Sequence, residues 1–147
     1  QTNIFFERSY RGMFTTVIYI VLDLKNKRMH IANAGHLPML LQKKGGKVEE
    51  IAPATGTPLG MLPHTHYQQV EKELEPGDRV VLISDGVTET KSVDDELFGE
   101  KRLIKFLEKE KGEPAVLLQQ LEKKLNEFST DAPQFDDKTT VSFQLLK

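Results

Sequence analysis

The alternation of apolar and polar positions changes rhythm along the chain. Residues 13–23 are rich in β-branched and aromatic side chains and are apolar on both alternating faces, the pattern of a buried central strand. Lys25-Asn26-Lys27 interrupts the run, and Asn suits the left-handed backbone of a tight turn. Residues 28–34 return as a second strand, punctuated by Gly35. Residues 39–42 and 48–51 flank Gly45-Gly46, the signal of another hairpin. Connections this short exclude parallel crossovers, so an antiparallel meander is expected. After a Pro- and Gly-rich loop over residues 52–63, residues 67–74 form a mostly polar strand suited to a sheet edge. Glu75-Pro76-Gly77-Asp78 has the residue order of a type II turn. Residues 79–84 are a short, nearly wholly apolar strand that runs into Asp85-Gly86.

The rhythm then becomes helical. Leu103, Ile104 and Leu107 share one face of residues 101–110, and Gly112 is placed to stop that helix. Pro114 opens a second helix with Leu118, Leu121, Leu125 and Phe128 along one face. A loop containing Pro133 leads to Asp136-Asp137. A last strand over residues 139–146 carries Val141, Phe143 and Leu145 on one face. Strands first, then a helix pair, then a returning strand give an α+β architecture in a single domain, residues 1–147, rather than a doubly wound sheet.

Composition narrows the chemistry. Hydrophobic residues make up 38% and charged residues 29%, which suits a soluble globular chain rather than a disordered one. The longest strongly apolar run, residues 17–22, is too short to span a bilayer, and no signal-peptide pattern opens the chain. A net charge of −2 offers no electrostatic reason for a nucleic-acid partner. There are no cysteines, so disulfides, thiolate zinc sites and cysteine nucleophiles are excluded, and a cytoplasmic location fits.

Asp85 and Asp136 draw attention by position, one just past a buried strand and one just before the last. Carboxylates at strand ends are held rigidly yet point out of the core, which suits metal ligation, and an all-oxygen donor set favours Mg²⁺ or Mn²⁺. Taken singly, Asp-Gly is ordinary turn chemistry and Asp136-Asp137 an ordinary solvated loop. Other candidates are weaker. His64-Thr65-His66 would put both imidazoles on one face only if it were a strand, and it has no third ligand nearby. Asn33-Ala34-Gly35-His36 reads as a structural turn. Thr55-Gly56-Thr57-Pro58-Leu59-Gly60 lacks the Lys and following helix of a phosphate loop. Lys43, Lys44 and Lys47 read as a solubilising cluster on a hairpin.

In order, Gly12-Met13-Phe14-Thr15-Thr16, Asn33-Ala34-Gly35-His36, Gly56-Thr57-Pro58-Leu59-Gly60, Pro76-Gly77-Asp78, Ser84-Asp85-Gly86-Val87-Thr88-Glu89, Leu97-Phe98-Gly99 and Asp136-Asp137-Lys138-Thr139 closely resemble the SpoIIE-type phosphatases, the bacterial branch of the metal-dependent PP2C-like enzymes. The resemblance implies a sandwich of two antiparallel sheets with flanking helices and two Mn²⁺ or Mg²⁺ ions at one edge. It implies that Asp85 and Asp136 bind metal and are the catalytic residues, supported by Gly86, Asp137 and Thr139. It assigns His36 no role. It further implies metal-assisted hydrolysis of phosphoserine or phosphothreonine by a metal-bridging water, with no covalent phosphoenzyme. The expected substrate is a small phosphorylated regulatory protein, an anti-sigma-factor antagonist, in a partner-switching pathway. An upstream sensor or regulatory domain, attached to a membrane or not, would control it. The family's first metal motif, an Asp-Gly pair, has no counterpart in residues 1–30, where Asp23 is the only Asp. With Gln1 in place of a starting Met and residues 4–10 resembling the tail of a helix, the chain is expected to be the C-terminal part of such a domain, incomplete at its N-terminus. It is then expected to be inactive alone and inclined to form a homodimer through uncovered strands. The competing expectation is a non-catalytic module that keeps the phosphatase scaffold to bind proteins.

Overall fold

The computed structural model describes residues 13–130, 132–133 and 136–146; the expected helix tail at residues 4–10 and Gly12 of the first motif lie outside the described residues. The described chain resolves into two compact units, one of residues up to 38 and 50–74, the other of residues 39–49 and from 75 on.

In the first unit, β1 (Val17–Asp23), β2 (Arg28–Ala34) and β5 (Gln69–Glu73) form an antiparallel sheet in the order β1-β2-β5. β2 is the central strand, with Met29, Ile31 and Asn33 buried on one face. Among the described residues β1 lies at the sheet's edge, with Tyr19 65% and Val21 46% exposed, so its apolar faces are only partly covered, as expected of the C-terminal part of such a domain. Apolar faces on both sides of a strand make it able to be central, but neighbours decide whether it is. β5 is the edge strand its polarity suggested, and Arg28 clamps it to β2 by donating to Glu71 Oε1 (2.8 Å) and Glu73 Oε1 (2.7 Å). In the β1–β2 turn the left-handed residue is Lys27, not Asn26. Asn26 instead donates its backbone N–H and side-chain amide to the Asp23 carboxylate (3.0 and 2.7 Å). These bonds favour the charged form, so they hold the Asp23 carboxyl below its ordinary value.

The other sheet has the order β4-β3-β6-β7, with β3 at Met39–Gln42, β4 at Val48–Ile51, β6 at Arg79–Ile83 and β7 at Thr140–Gln144. The expected single meander is therefore divided: the β1–β2 and β3–β4 hairpins belong to different sheets. β6 is central, as its composition predicts, and pairs antiparallel with β3 and β7. The Pro76-Gly77 turn that precedes it has Gly77 at φ +97° and a bond from Asp78 N–H to Glu75 O of 2.9 Å, which fits type II.

The helices are α1 (Asp85–Thr88), a single turn, α2 (Gly99–Lys109) and α3 (Pro114–Ser129). Leu40, Val81 and Ile83 from the sheet meet Val87, Phe98, Leu103, Leu107, Leu117, Leu121 and Leu125 in one apolar core. α3 presents Leu117, which is fully buried, where the sequence reading placed Leu118, which is half-buried. The carbonyl groups ending α2 are met by buried side chains: Gln42 Nε2 donates to Leu107 O and, at 3.0 Å, to Glu110 O, and Arg79 Nη2 donates to Glu110 O at 2.6 Å. A cation at a helix C-terminus is favoured by the helix dipole, and the bonds satisfy carbonyls that have no partner within the helix.

Candidate metal centre

The antiparallel register fixes the geometry of this end of the second sheet. Ile83 closes β6 opposite Thr140, which opens β7. The residues that follow β6 and those that precede β7 must therefore emerge side by side. Ser84 and Thr139 extend the pairing by one bond, from Ser84 N–H to Thr139 O at 2.9 Å. The Ser84 hydroxyl adds two more, donating to Asp137 O (3.1 Å) and accepting the Thr139 N–H (2.9 Å).

Asp85 then begins α1. This turn is anchored from behind by Val87, which is fully buried in the apolar core, and by buried Thr90, whose hydroxyl donates to Gly86 O at 2.8 Å. Gly86 meets the other segment directly. A Cβ added there would lie 2.4 Å from Asp137 O and 3.5 Å from the Asp136 carbonyl carbon, closer to the oxygen than real side chains come. Only glycine fits at this contact. The structure thus brings the segment carrying Asp85 and Gly86 against the segment carrying Asp136, Asp137 and Thr139. Both candidate ligands are exposed. Asp85 Oδ1 accepts the Gly86 N–H (3.0 Å), and Asp136 Oδ1 accepts the Asp137 N–H (2.7 Å). Each carboxylate is thereby oriented through one oxygen. A cavity of about 220 Å³ adjoins Asp136, lined also by Gly86, Glu89, Thr90, Lys91 and Lys138, among others.

The donors fit a hard cation in part. They are oxygens, exposed and mounted on anchored segments, but among the described residues no group of three His, Cys, Asp or Glu converges to hold a metal. Water would have to complete the coordination shell.

The histidine alternatives do not assemble. His64 sits in a turn at φ +57°, and both His64 and His66 are exposed, so the strand that would align them is absent. His36 belongs to the first unit, where its N–H is accepted by Asn33 Oδ1 (2.9 Å) while Asn33 Nδ2 donates to His36 O (3.0 Å) and Ala52 O (2.9 Å). The turn reading of that motif stands.

Two roles escaped the sequence reading. Ser84 was visible within its motif, but its partners lie more than fifty positions away. Lys43 is no mere solubiliser: its ammonium donates to buried Asp78 Oδ2 at 2.8 Å, and this bond raises the Lys43 pKa from its ordinary value. Glu75 N–H donates to the same oxygen, whereas Asp78 Oδ1 is buried without a partner.

The family model described as stage II sporulation protein E (SpoIIE) matches residues 1–145. Protein IcfG of Synechocystis is 28% identical over 136 residues, covering 92% of this chain and 21% of that protein. Phosphoserine phosphatase RsbU of Bacillus subtilis is 34% identical over 81 residues, covering 55% of this chain and 24% of that protein. The chain thus spans less than a quarter of either relative's length. Among solved structures, the PP2C phosphatase domain of Bacillus subtilis SpoIIE with a fragment of its regulatory domain superposes with a TM-score of 0.81 at 18% identity, covering 98% of this chain and 43% of that one. The SiaA-PP2C domain of Pseudomonas aeruginosa gives 0.77 at 23% identity, covering 88% of this chain and 51% of that one. The two antiparallel sheets and their helices are a PP2C-type fold.

Proposed function

This chain belongs to the SpoIIE family of PP2C-type protein phosphatases, and from that premise we propose that it takes part in metal-dependent hydrolysis of phosphoserine or phosphothreonine on a protein. The observation that carries the reading is the contact of Gly86 with the Asp136-Asp137 backbone, because it brings the segment that carries Asp85 against the segment that carries Asp136. Mn²⁺ or Mg²⁺, two ions in the complete site, would be held through Asp85 and Asp136. When bound, such ions lower the pKa of a coordinated water and offset charge developing on the phosphoryl group.

The chain's own residues do the remaining work. Asp85 and Asp136 hold and orient, each fixed through one oxygen by the next residue's N–H. Gly86 keeps the two segments at contact distance, and Asp137 and Thr139 carry the backbone groups that close the loop. Lys91 and Lys138 border the adjoining cavity, where Glu89 and Asp136 also lie, so its lining mixes both signs of charge.

RsbU and RsbP of Bacillus subtilis are named phosphoserine phosphatases, which supports a phosphoserine substrate; a small phosphorylated regulatory protein of the anti-sigma-factor antagonist type is the substrate we propose from the family resemblance. A sensor or regulatory domain in the same polypeptide and a cytoplasmic setting complete the proposal. No described helix is long and apolar enough to cross a membrane. A non-catalytic module that binds proteins is the second reading, favoured by the convergence of only two carboxylates among the described residues.

The test is Mn²⁺-dependent phosphate release from a phosphoserine protein by the full-length gene product. Activity that Asp136→Ala abolishes supports the enzyme. A well-folded, full-length protein with no Mn²⁺-dependent activity would favour the binding module.

A further inference from the structure

We infer that Ser84 is the positioning residue of the candidate metal centre: its hydroxyl fastens the Asp136 loop to the strand that carries Asp85. The inference rests on the metal reading above. Ser84 precedes the one-turn helix in extended conformation (φ −82°, ψ 163°), where a serine hydroxyl commonly caps its own helix. Here it makes no cap bond. It turns across the sheet end, giving its proton to Asp137 O and accepting the Thr139 N–H, so both of its hydrogen-bonding roles serve the other segment. The two bonds bracket the backbone just past Asp136, while Gly86 sets the distance of approach from the Asp85 side. Without the hydroxyl the Ser84 N–H bond to Thr139 O and the Gly86 contact remain among the described residues, and the exposed Asp137 and Thr139 groups turn to water. What is lost is the hold on the backbone beside Asp136, which matters little to folding and much to an ion held from both segments.

Ser142 supplies the control. Its hydroxyl donates to Val80 O at 3.0 Å, joining the same two strands away from the carboxylates. Two readouts separate the inference from its premise: Mn²⁺ affinity by calorimetry, and exchange of the Thr139 amide by NMR in the metal-free chain. Ser84→Ala should weaken Mn²⁺ binding about tenfold, in line with the effect of losing residues that orient metal ligands, and speed Thr139 exchange. Ser84→Thr, which keeps the hydroxyl, should restore both, and Ser142→Ala should change neither. Unchanged Thr139 exchange in Ser84→Ala would overturn the fastening, whatever the metal does. Faster exchange with unchanged affinity would overturn its positioning role. If Asp85→Asn leaves Mn²⁺ binding intact, the metal reading fails, and Thr139 exchange still decides whether Ser84 fastens the loop.

Discussion

Each unit contains one place where motifs distant in sequence are stitched together, and the two places differ in what they leave over. In the first unit, Asn33 binds the backbone of His36 and Ala52, Thr15 and Leu59 exchange backbone bonds of 3.0 and 2.8 Å, and Tyr67 Oη donates to Thr57 O at 2.8 Å. Gly35, at φ +76°, lies so close to the Pro58 ring that a Cβ would come within 2.6 Å of it. In the second unit, Ser84 and Gly86 join the Asp136–Thr139 segment by the same means, a glycine contact and a polar side chain spent on backbone. The first junction closes on itself, with Asn33 buried and neutral. The second ends in two exposed carboxylates, each with Oδ1 accepting its neighbour's N–H. A family motif therefore does not mark chemistry by itself; the charge and bonding capacity that remain after the backbone is satisfied do.

Mutation of the two junctions should separate stability from metal binding. Asn33→Ala should cost about 2–4 kcal/mol, because it strands a buried carbonyl and an N–H together. Denaturant unfolding would read the loss, and the folded protein should bind Mn²⁺ as before. Asp136→Ala is the converse: stability within about 0.5 kcal/mol of wild type, as for an exposed side chain, and Mn²⁺ binding lost. Should Asn33→Ala be nearly neutral, the first junction would not be the architectural one.

Gly86→Ala belongs to both categories. The added methyl meets a backbone carbonyl rather than a flexible side chain, so a segment must move at a cost of about 1–3 kcal/mol. Mn²⁺ affinity should fall with it. Full affinity and stability in that variant would contradict the close contact.

Away from both junctions, Lys43 and Asp78 give a smaller, pH-dependent effect. Lys43 has its pKa raised in the folded state, so its contribution is complete below its ordinary value of 10.5 and declines as pH rises through the higher folded value. Unfolding midpoints should therefore fall at alkaline pH in wild type, and that part of the decline should be missing in Lys43→Met. The smallest effect is at Asp23. Its folded pKa is lowered, so its stabilisation is complete above 3.8 and is lost as pH falls through the lower folded value. Asn26→Ala should reduce this acid-limb loss slightly, as read by thermal melts below pH 4.

Much of the fold was legible because it rests on local pattern. The hairpins, the apolar β6, the type II turn, the Pro114 helix start and the polar edge strand β5 all follow from short windows of sequence. What was not legible depends on neighbours. Residues 13–23 show faces able to be buried but not which strands will flank them, so the exposure of Tyr19 and Val21 could not be read from the pattern. The short link between β2 and β3 is equally able to close a hairpin or to change sheets. In the candidate site, Asp85, Gly86, Asp136, Asp137 and Thr139 are named through their motifs and the resemblance. Ser84 and the Lys43–Asp78 pair were not, since their partners are brought close only by the sheet.

The central claim is that Asp85 and Asp136 serve one metal site, and a calorimetric Mn²⁺ titration of the wild type, Asp85→Asn, Asp136→Asn and the double variant tests it most directly. Wild type should bind weakly, because water must supply most of about six ligands. Either single substitution should remove that binding, and the double variant should lose nothing more. Tight binding that survives both single substitutions, or losses that simply add, would contradict a shared site and turn attention to His64 and His66.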